Sequence, residues 1–252
     1  IEERAVDLAV AVTTICETDR GTMLDEFGCD SVLVRNGSSV ADHPLRVPGA
    51  DEGPDDQVDF AFAGSSYWPN VEGFGRIATP SLAFLPPGTK IHVAGSVSDQ
   101  LLSSRPIAQH HSANASRMVL RGFLPVADLV DMMHRSRAVI VPVFTGEGSN
   151  LKSADALACG APVIMTRRAT HGYEDIIADD RSGVTVVGDA REFRAAMASA
   201  VASERSGPVG ARRRADLGWT DRLAPLVRLV ESIGRNCAPD SPGPNADVDH
   251  IE

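Results

Sequence analysis

Short apolar runs alternate with longer amphipathic stretches along this chain of 252 residues. Short runs bounded by Gly, Pro or Asn predict buried strands, and apolar positions three or four apart predict helices. Residues 7–13 (DLAVAVT) predict a buried strand, 15–27 a helix ended by Gly28, and 31–35 a second strand stopped by Asn36-Gly37. Ser38 to Gln57 is rich in Pro, Gly and acidic residues and has the composition of a linker. A regular alternation follows. Strand 58–63 leads through a Gly-Ser turn to a helix over 70–83, and strand 90–94 leads through Gly95 to a short helix at 97–103. Residues 104–116 are polar and patternless, which predicts loop. Strand 117–121 leads through Gly122 to helix 126–135, and strand 138–143 leads through a Gly-rich loop to helix 150–159. Strands 161–166 and 183–187 come next, then helices over 189–203, 208–216 and 220–234.

Apolar strands alternating with helices predict an α/β fold, a doubly wound parallel sheet covered on both faces. Ligands of such sheets bind at the carboxyl edge of the strands. The loops at that edge are 64–70, 95–98, 122–126, 144–150 and 166–174. The boundaries expected are a first-domain remnant at 1–40, a linker at 41–57, a sheet domain at 58–234 and a disordered tail at 235–252.

Composition narrows the partners. The 24 basic residues against 34 acidic ones leave a net charge of −10. Such a chain gains nothing from counterion release, so no nucleic-acid partner is expected. The 5% aromatic content argues against a stacking platform for single strands. Cys16, Cys29, Cys159 and Cys237 show neither zinc-site nor disulfide spacing. They are expected to be reduced thiols, in a cytoplasmic setting, with no metal site. No apolar run is long enough to span a membrane. The opening IEERAVDLAV lacks a Met and a basic segment, so no signal peptide is expected and a fragment is.

The most informative stretch is Thr145 to Ile164 (TGEGSNLKSADALACGAPVI). A strand ends, a Gly-rich turn follows, and a helix begins with Ser149 or Asn150 as its N-cap. First-turn amides lack helical acceptors and the helix dipole adds partial positive charge, so this end suits a phosphate. Gly146 and Gly148 allow close backbone approach. Leu151, Ala154, Leu157 and Ala158 predict a core face, with Lys152, Asp155 and Cys159 on the neighbouring one. Lys152 in the first turn opposes the dipole; a bound phosphate would repair that, and a snorkelling surface Lys is the alternative.

This stretch resembles the C-terminal half of retaining GT-B glycosyltransferases of the group 1 type, whose signature is E-G-x-G-x-x-x-x-E-A-x-A-x-G-x-P-V. Glu147 and Asp155 match its two acids, with Asp replacing Glu at the second, and Gly148, Ala156, Ala158, Gly160, Pro162 and Val163 fall in register. Lys152 matches a subgroup that also carries a Gly-Ser turn closed by Pro-Asn, as in Gly64-Ser65-Ser66-Tyr67-Trp68-Pro69-Asn70. Lys90 to Gly95 resembles the family's second donor-domain strand and turn, and Arg121-Gly122-Phe123-Leu124 resembles its loop at the nucleobase. Residues 7–37 resemble the end of the first domain, and Trp219 begins a segment like the family's closing helix.

The resemblance implies a Rossmann-like donor domain and roles for single residues. Amides at Gly148, Ser149 and Asn150 would hold a diphosphate with Lys152 as cation, and Glu147 would touch the donor sugar. Asp155 would accept from the ribose, Phe123 and Leu124 would frame the base, and Gly64, Ser65, Ser66, Gly95 and Gly122 would shape the surrounding loops. Glu147 and Lys152 would be the catalytic pair. The implied donor is a nucleotide-diphosphate sugar, UDP- or GDP-linked, with no tightly bound cofactor. The implied acceptor is a carbohydrate or lipid-linked molecule, and any membrane contact would belong to the other half of the protein. One departure stands out. Many relatives carry an Arg and a Lys in the first donor-domain loop, and SSYWPNVEG carries neither. The phosphate charge would then fall largely on Lys152 and on helix N-termini, with Arg167 and Arg168 as further candidates. Two alternatives stay open: a degenerate sugar-nucleotide-binding module without activity, and a sugar-nucleotide epimerase on the same architecture. A dinucleotide dehydrogenase is disfavoured, because no G-x-G-x-x-G follows strand 58–63.

Overall fold

The computed structural model describes residues 2–45, 58–146 and 149–237. The chain opens with α1 (Glu2–Leu8), β1 (Thr13–Thr14), α2 (Glu17–Phe27), β2 (Val32–Leu33) and α3 (Ser39–Asp42). The first half of the main sheet comprises β3 (Val58–Ala63), α4 (Trp68–Ala78), β4 (Ile91–Ala94), α5 (Ser98–Leu101), α6 (Arg105–Ala108), α7 (His111–Ala115) and β5 (Met118–Gly122). The second half comprises α8 (Val126–His134), β6 (Ser136–Val141), α9 (Leu151–Ala158), β7 (Val163–Thr166), α10 (Glu174–Asp179), β8 (Val184–Val187) and α11 (Ala190–Ala202). The helices α12 (Ala211–Asp216) and α13 (Trp219–Cys237) close the described chain.

Six parallel strands order as β5-β4-β3-β6-β7-β8. The chain therefore winds outward from β3 in one direction, returns, and winds out again from β6. That is the doubly wound, Rossmann-like order, and its reversal point lies between β3 and β6. Strand residues alternate between two cores, as the pleat requires. Phe60, Phe62, Ile140 and Ile164 face α4 and α11 through Phe74, Ile77, Phe193 and Met197. Ala61, Val139, Val141 and Met165 face the opposite layer with Val130, Met133, Leu157 and Ile176. Gly73 of α4 brings that helix onto the end of β6, since a Cβ there would lie 1.9 Å from the Pro142 carbonyl oxygen.

Several sequence expectations are corrected. The strand expected at 7–13 is reduced to Thr13–Thr14, and its first residues belong to α1. Among the described residues β1 pairs only with β2, and Leu8 and Val10 are 76% and 80% exposed. The linker expected at 41–57 begins inside α3, where Ser38 accepts from the Val40 amide and Val40 is buried; residues 46–57 lie outside the described ones. The loop expected at 104–116 folds into α6 and α7 around buried Asn114. Asn114 accepts from the Leu82 amide (2.8 Å) and donates to the Ile107 carbonyl (2.9 Å), bonds that a polarity pattern cannot reveal. The helix expected at 70–83 is two elements, α4 and a 3-10 turn at Leu82–Phe84. The strand expected at 138–143 starts earlier, at Ser136, and ends at Val141. The loop expected at 166–174 contains a 3-10 turn at Arg167–Thr170 and runs into α10. α13 continues to Cys237 across the expected start of the tail, and residues 238–252 lie outside the described ones.

The basic run at 212–214 turns two of its three cations inward. Arg213 is 0% exposed and donates to the carbonyls of Leu157 (2.9 Å) and Ser182 (2.6 Å). Arg214 donates to the carbonyls of Ala158 and Val40. Both cations thus occupy the C-terminal carbonyls of α9, where positive charge is stabilising. Cys16, Cys29 and Cys159 are free thiols. Among the described residues, no helix is long and apolar enough to cross a membrane.

Candidate functional site

The reversal between β3 and β6 leaves a crevice at their carboxyl ends. A cavity of about 460 Å³ opens there, lined by the turn after β3, the turn after β4, the loop after β5 and the first turn of α9. Two close backbone approaches shape it. The Val97 amide donates to the Gly64 carbonyl (3.2 Å), and a Cβ on Gly95 would lie 2.2 Å from that same oxygen. Gly95 holds φ +91, so both the space and the backbone require glycine.

Asn150 is the N-cap of α9 and makes no side-chain cap bond, and the helix start lines the cavity through Asn150, Leu151 and Lys152. Lys152 donates through Nζ to Asn70 Oδ1 on α4. Asn70 is fixed in turn, donating through Nδ2 to the carbonyl of Ser65 (2.9 Å) and to its Oγ (3.2 Å). Burial without a counter-charge lowers the Lys152 pKa to about 8. Asp155 lies one turn along α9, and Ser38 donates to its Oδ1 at 2.7 Å. Burial raises the Asp155 pKa, and the Ser38 bond offsets part of that rise. Phe123 stands 89% exposed at the other wall.

Of the residues expected from sequence, Gly64, Ser65, Gly95, Phe123, Leu124, Asn150, Lys152 and Asp155 meet at this cavity. Ser66, Gly122 and Ser149 do not line it. The Ser66 amide donates to Ser96 Oγ (2.9 Å), the Gly122 carbonyl accepts from the Gly95 amide (2.6 Å), and Ser149 Oγ accepts from Asn36 Nδ2 (2.7 Å). These three act on the frame of the site. Glu147 and Gly148 lie outside the described residues. Arg167 and Arg168, the further cations expected, do not line this cavity. They line a separate cleft of about 680 Å³ with Asp19, His171 and Glu174, and Arg168 donates to the Gly146 carbonyl. The 3-10 turn that carries them points them there.

Sequence reasoning missed Tyr67, Asn70, Ser96, Leu129 and Leu151, which also line the cavity. Leu151 was expected in the core and is 53% exposed, because a first-turn residue of α9 projects past the sheet edge. Cys159, expected on the face of Lys152 and Asp155, is fully buried, and its Sγ donates to the Ala156 carbonyl (3.0 Å). Asn70 carried a signal, since it closes the Pro-Asn end of the turn after β3. Trp68 is exposed at the start of α4.

Comparison with known proteins follows the geometry. Among solved structures, sucrose-phosphate synthase from Thermosynechococcus elongatus superposes with a TM-score of 0.71 at 16% identity, over 93% of this chain and 61% of that one. Anabaena HepE in complex with UDP superposes at 0.64 and 13% identity, over 92% and 65%. A glycosyltransferase from Rickettsia africae does so at 0.64 and 12% identity, over 90% and 64%. The chain thus spans less than two thirds of the length of these proteins, and at such identity the likeness speaks for the fold. No curated protein matches the chain in sequence. The family model described as glycosyl transferases group 1 matches residues 57–203, from the start of β3 to the end of α11, and by that match this chain belongs to the glycosyl transferases group 1 family.

Proposed function

We propose that this chain supplies the donor site of a retaining hexosyltransferase that takes a sugar from a nucleotide-diphosphate sugar. The observation that carries the reading is the pairing of Lys152 and Asp155 on one helix face at the β3–β6 reversal, opposite exposed Phe123. A cation beside free helix amides suits a diphosphate. A carboxylate one turn on suits ribose hydroxyls, and an exposed ring suits a base. HepE has been solved with UDP and with UDP-glucose, which favours a UDP-linked donor, with GDP the alternative.

The chemistry follows from the charge that forms. As the glycosidic bond breaks, negative charge grows on the departing diphosphate. Lys152, held by Asn70, and the opening amides of α9 would stabilise that leaving group. Glu147 would contact the donor sugar, and Asp155 would hold the ribose so that the diphosphate sits over the helix end. The acceptor is a carbohydrate or lipid-linked molecule, and its binding groups belong to protein beyond the donor cavity. The chain alone then binds nucleotide weakly and transfers nothing.

A second reading has one observation behind it. The turn after β3 offers no Arg or Lys, and Arg167 and Arg168 line the other cleft. A single cation is what a degenerate, non-catalytic sugar-nucleotide-binding module would retain. Calorimetric titration of UDP, GDP and ADP tests the nucleotide site that both readings require, and only transfer from the bound donor separates them. The donor-site reading expects one nucleotide to bind and Lys152→Ala to weaken it about tenfold or more, the loss of a charge-assisted contact. A folded chain that binds none of the three would sink the donor-site reading.

A further inference from the structure

Outside the nucleotide cavity, two distant segments meet in a second set of polar side chains. Cys16 is the N-cap of α2 and Asp19 stands three residues on, so both project from the same end of that helix. His171 follows the 3-10 turn after β7, 155 residues from Cys16, and its Nε2 lies 3.3 Å from Cys16 Sγ. Among the described residues, the thiol, a carboxylate oxygen of Asp19 and a ring nitrogen of His171 all lie within 4.8 Å of one another.

We propose that Cys16, Asp19 and His171 form a three-ligand site for a divalent transition-metal ion of the zinc class. A thiolate, an imidazole and a carboxylate are a donor set that zinc accepts and that hard ions such as magnesium and calcium do not favour. The spacing fits. Ligands around a tetrahedral zinc lie about 3.3–3.6 Å apart, given its usual bond lengths. The sulfur–nitrogen pair has that separation already, and a carboxylate oxygen of Asp19 lies within 4.8 Å of both.

The surroundings of His171 add an independent observation. Its other ring nitrogen, Nδ1, lies 3.7 Å from Glu174 Oε1, and the Gly172 amide holds that carboxylate through Oε2 at 2.9 Å. The Nδ1–Oε1 separation is longer than a hydrogen bond, and a carboxylate so placed can close onto Nδ1 when an ion holds Nε2, the outer-shell contact that zinc histidines use to fix their tautomer. Asp19 and His171 also line the 680 Å³ cleft, which gives an ion its entry and leaves room for a water as fourth ligand. The ion would fasten the β1-α2-β2 unit to the loop after β7, two parts of the chain with few other bonds between them among the described residues. This site does not depend on the nucleotide reading.

The test is titration of cobalt(II) into the reduced chain with any affinity tag removed, followed by absorption spectroscopy. The expected result is a thiolate-to-cobalt charge-transfer band that saturates at one equivalent and disappears when zinc is added. Cys16→Ser abolishes that band, Cys29→Ser leaves it, and His171→Ala weakens cobalt binding about tenfold or more. Glu174→Gln, behind the histidine, weakens it by about ten- to a hundredfold. Zinc at a hundredfold excess over its Kd raises the melting midpoint of the unaltered chain by about 5–10 °C. Absence of the band in the unaltered chain overturns the proposal whether or not Cys16→Ser folds. A band that survives in folded Cys16→Ser, or is unmoved by His171→Ala, overturns it too and leaves a plain thiol–imidazole contact.

Discussion

Lys152 owes its character to its place. It stands in the first turn of α9, where the helix dipole disfavours a cation, and burial lowers its pKa to about 8. A bound diphosphate favours the protonated form. UDP affinity is therefore expected to be flat toward pH 7, to fall as pH rises above about 8, and to level off above the higher pKa that Lys152 has in the complex. Calorimetry across that range checks this, and Lys152→Met should remove the dependence along with most of the affinity. Asp155 makes a separable contribution. One oxygen already accepts from Ser38 at 2.7 Å, and the remaining lone pairs are free to take ribose hydroxyls. UDP should bind about tenfold more tightly than its 2′-deoxy analogue, the worth of one hydrogen bond to a charged group, and Asp155→Ala should erase that preference. If both ligands bind the unaltered chain equally, the carboxylate does not touch the ribose. The sequence exposed these two residues through their spacing on a helix. It could not expose Asn70 as the acceptor for Lys152, since that bond joins residues 82 apart. It could not expose the Cys16–His171 contact for the same reason.

At the scale of elements, periodicity located every strand of the main sheet and most of its helices. What it missed were short pieces held by polar side chains, such as α6 and α7 around Asn114 and the burial of Arg213 against the end of α9. Hydrophobic pattern carries no information about such bonds. The close approach of α4 to β6 was equally invisible, because a glycine in a helix signals nothing by itself. Gly73→Ala places a methyl against the Pro142 carbonyl, which is backbone and cannot give way cheaply. A loss of about 3 kcal/mol is expected from denaturant melts, the upper end for overpacking. Helix α11 offers a milder case. Asp189 accepts from the amides of Arg191 and Glu192, both at 2.8 Å. Asp189→Ala should cost about 1 kcal/mol of stability with UDP binding unchanged, because the cap is remote from the cavity. A much larger loss would mean that Asp189 does more than cap α11.

Across the whole molecule, the reversal of the sheet between β3 and β6 decides where a ligand can sit. Two winding directions leave the helices on either side of that point diverging, and the loops after β3, β4, β5 and β6 rim the gap. The alternation of strands and helices made this architecture legible from sequence, and the group 1 signature pointed to the same edge. The opening segment was less legible. An apolar run such as 7–13 becomes a long strand only where a partner strand pairs along its length, and β2 pairs with β1 at two residues alone. The clefts of the described molecule include one with Lys152 and Asp155 and another with Arg167 and Arg168. A crystal structure of the chain soaked with UDP tests the central claim most directly. The account expects the diphosphate at Lys152 and the start of α9, the ribose at Asp155 and the base beside Phe123. A nucleotide seated instead against Arg167 and Arg168 would contradict it.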